Sequence, residues 1–121
     1  MDQRVSQWLD QTLAQEIPPD VAAFCFNLYQ DGPDQWSMEL VGAGSFDLED
    51  SDWPCDEVTD FGTRDTPFAW SSTSTWEQVL GEMVDILVDY LQSGPYAHVL
   101  KDRSGVGVGF VDGDLDILYH A

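Results

Sequence analysis

The stretch GVGVGF, residues 105–110, limits this chain's architecture more than any other. In a β-strand alternate side chains point to opposite faces, so Val106, Val108 and Phe110 share one face and Gly105, Gly107 and Gly109 the other. Glycine weakens a strand interior, and its recurrence marks a place where something approaches the backbone closely. A helix of the same domain or a binding partner would each fit that face. The following residues, VDGDLDILYHA, complete a hairpin. With Asp112–Gly113 as a two-residue turn, Phe110 opposes Leu115, Val108 opposes Ile117 and Val106 opposes Tyr119. That register puts all six on one face, against a helix.

The rest of the chain supplies that helix and a second hairpin. Val79, Leu80, Met83, Val84, Leu87, Tyr90 and Leu91 form a continuous stripe at helical spacing. Ser74 with Glu77, or Thr75 with Gln78, offers a capping-box start, and Gly94–Pro95 a stop. Val5, Trp8, Leu9, Leu13 and Ile17 predict an amphipathic helix over residues 2–16, ended by Pro18–Pro19. Ala22, Phe24, Phe26 and Leu28 alternate, as do Trp36, Met38 and Leu40, with the turn DGPD between them. PFAW, residues 67–70, reads as a short further strand. The expected fold is α+β in a single domain, residues 1–121: an antiparallel sheet of four or five strands with two helices packed against it.

Charge narrows the function. The chain has 23 acids and four Lys and Arg, a net of −19, in 121 residues. Nucleic acid and anionic membrane surfaces are repelled, which leaves a basic protein or a cation as partner. No run approaches the ~18 apolar residues of a membrane span. MDQRVSQWLDQTLAQEI lacks the basic start and apolar core of a secretory signal, so a cytoplasmic protein is expected, with Cys25 and Cys55 as free thiols.

Much of the charge is concentrated in SFDLEDSDWPCDEVTDFGTRD, residues 45–65. Asp47, Glu49, Asp50, Asp52, Asp56, Glu57, Asp60 and Asp65 are offset only by Arg64. A merely solvated loop has no need of Phe46, Trp53, Val58 and Phe61 among its acids. Aromatics ringed by charge suit a recognition surface, in which the anchor fills a pocket and the rim steers. The candidate partner-binding residues are therefore Asp47, Glu49, Asp50, Asp52, Trp53, Asp56, Glu57 and Asp60, with Trp53 as anchor. Phe46 and Phe61 are expected to pin the segment to its own core.

Catalytic patterns are lacking. There is no phosphate loop, nucleophile elbow or paired metal-ligand spacing, and His98 and His120 are isolated. DGDLD and DLEDSD are fragments of cation loops without the sixth-position glycine and terminal glutamate of a full one. No enzyme activity, cofactor or metal is expected.

The runs FCFNLYQDGPDQWSMELVGAGSFDLEDSDWPCDEVTDF, WEQVL, YLQSGPYAHVLK and GVGVGFVDGDLDILY resemble small acidic bacterial immunity proteins of polymorphic toxin systems. The likeness covers about residues 20–119, with DSDWPCDEV and VGFVDGDL its most specific pieces. It implies a cytoplasmic protein that binds and neutralises a toxin domain, many of which are nucleases with basic clefts. Type III secretion chaperones share the size, acidity and approximate element order. The chain departs from them in lacking a further C-terminal helix and in carrying the acidic, tryptophan-bearing segment. An effector-holding chaperone and a divalent-cation-binding module stand as the alternatives.

Overall fold

The computed structural model describes residues 2–111 and 113–121. The chain runs α1 (Asp2–Leu13), β1 (Ala23–Gly32), β2 (Gln35–Ala43), a 3-10 turn (Trp53–Cys55), β3 (Glu57–Gly62), β4 (Phe68–Ser71), α2 (Trp76–Ser93), α3 (Ala97–Lys101), β5 (Gly105–Phe110) and β6 (Asp116–His120). The class is α+β, as expected, but among the described residues the sheet has six strands and there are three helices. Both long helices form on the expected apolar stripes, but α1 ends at Leu13, before residue 16 and the Pro18–Pro19 pair, and leaves Ile17 outside it. Of the two possible starts for α2, the Thr75–Gln78 box is the one formed, with Thr75 Oγ1 accepting from the Gln78 amide.

The sheet order is β3–β2–β1–β5–β6, with β4 also paired to β2. β3 lies along one half of β2 (Ala43 opposite Glu57) and β4 along the other (Trp36 opposite Trp70). The sheet is mixed, not purely antiparallel, because β1 and β5 run parallel at its centre. Local turns fix pairing within a hairpin, but nothing local fixes how two hairpins meet. Here α2 and α3 carry the chain back to the end where β1 begins. The Ser104 amide donates to the Ala22 carbonyl at 2.8 Å, which starts β5 in the same direction as β1.

One face of the sheet carries the main core. Phe24, Phe26, Leu28, Trp36, Met38, Leu40, Val106 and Val108 are buried there with Val5 and Leu9 of α1 and Met83 and Leu87 of α2. Phe61 joins this layer, its ring edge-on to Phe24 at 5.7 Å. The two long helices are tied by Tyr90, whose hydroxyl donates to Asp10 Oδ1 at 2.7 Å; burial first, and then this bond, raises its pKa.

The C-terminal hairpin departs from the expected register. Val106 does oppose Tyr119, but a bulge follows and Val108 faces Asp116. One extra residue in β6 reverses the side chains beyond it. Leu115 and Ile117 therefore lie on the opposite face, not beside Val106 and Val108. The connection between β5 and β6 runs over residues 111–115 instead of two residues; Asp112 lies outside the described residues. Phe110 is half-buried, between Trp36 and Trp76.

Candidate functional site

The second face of the sheet is covered by the acidic segment itself. Ala23, Cys25, Val41 and Ala43 are buried there with Trp53, and Phe46, Leu115 and Ile117 pack around them. The glycine face of β5 is what admits these rings. A Cβ on Gly105 would stand 2.2 Å from Phe46, and one on Gly107 would stand 3.1 Å from both Trp53 and Leu115. At Gly109 the neighbour is the Asp114 carbonyl, 2.5 Å from such a Cβ. What approaches the glycines is a loop of the same chain and the start of β6, not a helix.

Trp53 is consequently 3% exposed and is no partner anchor: it holds the segment to the sheet, edge-on to Phe46 at 5.0 Å. Its burial is what the hydrophobic effect dictates for an indole beside a glycine-lined depression. With the aromatics turned inward, Asp47, Glu49, Asp50, Asp52 and Asp56 are exposed. Two of them also shape the loop, Asp47 Oδ1 accepting from the Glu49 amide and Asp50 Oδ1 from the Asp52 amide. Glu57 is half-buried and paired with Arg64. The side chain of Asp60 lies outside what the structure describes. The exposed large apolar residue of the segment is Leu48, between Asp47 and Glu49.

Beside the covered patch the second face opens into a cleft of about 650 Å³, between residues 51–57 and the β5–β6 connection. Cys25, Asn27, Tyr29 and Glu39 form part of its lining. Asn27 and Glu39 are directly opposite in the β1–β2 ladder. Glu39 is only 5% exposed. Its Oε1 accepts from Asn27 Nδ2 at 3.1 Å and from the Tyr29 hydroxyl at 2.7 Å, and its Oε2 lies 3.6 Å from Arg64 Nε. A buried carboxylate is costly unless bonded and paired, and these contacts supply both. Arg64 in turn is raised in pKa by Glu57 first and Glu39 further down. Burial, then the bond to Glu39, pushes the Tyr29 phenol up to about 12. Burial and the Glu39 charge push the Cys25 thiol up to about 12, and its Sγ donates to Asn27 Oδ1 at 3.3 Å.

Sequence patterning did not single out this network, although a signal was present. Glu39 interrupts the apolar run WSMELVG on the face opposite Trp36, Met38 and Leu40, and the hairpin register sets it across from Asn27. Asp52, Glu57 and Asp114 add acids to the cleft lining, against Arg64. The arrangement suits an organic cation or a basic side chain. Among the described residues no three His, Cys, Asp or Glu side chains come together as metal ligands, and His98 and His120 are exposed on α3 and β6, outside the cleft lining. Cys25 and Cys55 are both free thiols. Among the described residues no helix is long and apolar enough to cross a membrane. Comparison of the chain with protein-family models, curated proteins and solved structures gives no match.

Proposed function

We propose that this protein binds a basic protein partner through the acidic segment and the adjoining cleft, and that the partner is a toxin domain it neutralises in the cytoplasm, without catalysis of its own. One observation carries the reading: Phe46 and Trp53 are clamped to the sheet while Asp47, Glu49, Asp50, Asp52 and Asp56 face solvent. The acids are thus held in place before any partner arrives, which lowers the ordering cost of binding. Their common sign attracts a cationic surface and speeds encounter. The toxin identity comes from the resemblance to immunity proteins alone.

The test uses the cognate toxin domain, found by pull-down or by sequencing the gene neighbourhood, and a variant carrying Asp50→Asn, Asp52→Asn and Asp56→Asn. Asparagine keeps the side-chain oxygen that accepts the Asp52 amide, so the loop is preserved while three charges go. Association should slow by about tenfold or more at low salt and lose most of its salt dependence, with dissociation little changed. A variant that associates at the wild-type rate removes the segment from the interface.

A further inference from the structure

Among the described residues three large apolar side chains are exposed: Leu48, Trp76 (54%) and Val111 (52%). Two of the three meet in one place. Trp76, the first residue of α2, stands edge-on to Phe110 at 6.1 Å and lines a groove of about 500 Å³ with Val111 and Leu28. The start of a helix needs no aromatic for its own stability; the Thr75 cap already serves that end. The groove shares Tyr29, Phe110, Val111 and Gly113 with the acidic cleft, so the two adjoin and together offer a trough with an apolar and an acidic end. Tyr29 joins them, since it lines both while its hydroxyl fixes Glu39.

At the acidic end Glu39 is already held for a cation. Asn27 and Tyr29 occupy one of its oxygens, and the other meets Arg64 at a loose 3.6 Å. The Arg64 side chain is itself largely exposed.

We infer that this trough takes an extended segment of the basic partner, with an apolar side chain seated between Trp76 and Val111 and a neighbouring arginine seated on Glu39 in place of Arg64. The aromatic anchor that Trp53 does not provide is then Trp76. This rests on the proposed function only in taking the partner to be basic; the trough recognises an arginine next to an apolar residue whatever protein carries them.

The probe is a blocked Arg-Gly-Leu peptide, titrated into the isotope-labelled protein and followed by NMR, with peptides in which glycine replaces the arginine or the leucine as controls. The Trp76 indole and the Gly113 amide should shift, and the peptide should bind about tenfold more tightly than either control. Trp76→Ala and, as a second exposed-site variant, Val111→Asp should reduce the peptide to the level of its leucine-free control. Glu39→Gln, which keeps the oxygen that Asn27 and Tyr29 donate to, should reduce it to the level of the arginine-free control. Arg64→Ala should tighten binding by freeing Glu39. Absence of a saturable shift, shifts confined to the Leu48–Asp56 surface, or unchanged affinity in these variants would overturn the inference. If Trp76→Ala and Glu39→Gln also bind the toxin domain as wild type while the triple asparagine variant does not, the trough is wrong and the acidic segment stands. If the peptide binds in the trough and the toxin domain does not bind at all, the toxin reading fails and the trough stands.

Discussion

Trp53 and Cys25 sit under the acidic segment, and both can be tested singly. Trp53→Ala empties a large aromatic site at the junction of segment and sheet and should cost ~3–5 kcal/mol in urea unfolding. Trp53→Phe should cost much less. It keeps a ring over Gly107 and removes an indole N–H that is buried without a hydrogen-bond partner. Equal losses for the two substitutions would mean that the ring does not supply the anchoring. The thiols should differ sharply. Cys55 is exposed and Cys25 buried, so an alkylating reagent at neutral pH should modify one thiol per folded chain, at Cys55, and reach Cys25 only on unfolding. Alkali should loosen the same region. The Cys25 pKa rises from 9.0 to about 12 on folding, and that of Tyr29 from 10.0 to about 12. Groups that hold their protons more tightly when folded stabilise fully below the unfolded pKa. That contribution is lost as pH climbs through the folded value. Stability measured by denaturant should therefore fall between about pH 9 and 12, and a Cys25→Ala variant should begin its fall about one unit later, at the Tyr29 reference value. An onset that does not move would separate Cys25 from the alkaline transition.

At the scale of elements, α2 and β5 are set by opposite means. α2 declares itself: an apolar stripe, a capping box and a glycine–proline stop all lie within its own sequence. Thr75→Ala removes one half of the box and should cost about 1 kcal/mol, with the helix still formed because its buried stripe remains. A loss near zero would mean the first turn frays regardless of its cap. β5 is declared by its alternation, but its setting is not. Its glycines state that something comes close, and distant residues decide what does. The bulge in β6 shows the same division. Alternation in DLDILY is compatible with either register. Leu115 and Ile117 turn to the second face because Trp53 and Phe46 have made an apolar patch there, which buries them better than an already filled helix face. Phe110, left half-buried by this arrangement, belongs as much to the surface groove as to the core.

For the whole molecule, charge dominates. A net of −19 on 121 residues opposes the compact state through self-repulsion, and the four Lys and Arg relieve little of it. Added salt screens that repulsion over a Debye length of ~10 Å at 0.1 M and ~3 Å at 1 M. The melting temperature should therefore rise steadily as sodium chloride increases through this range, most steeply at its low end. A melting temperature independent of salt would show that the acids are spaced widely enough not to feel one another. Self-repulsion and partner attraction share one cause, so a bound basic domain should raise the melting temperature most where salt is lowest.

The sequence alone determined the features that depend on neighbours in the chain: the two long helices, the β1–β2 hairpin with Phe24, Phe26 and Leu28 on its core face, and the concentration of acid between Asp47 and Asp65. Periodicity, caps and turns act over a few residues, and their signals survive in a linear reading. Tertiary structure decided which strands meet at the sheet centre, that β1 and β5 run parallel, and that Trp53 turns inward onto Gly107. It also decided that Glu39, Asn27 and Tyr29 become part of the lining of a cleft whose rim comes from residues 51–57 and 111–115. Each of these is a contact between segments far apart in the chain. Its outcome rests on which apolar surfaces fit together, and no local pattern carries that fit.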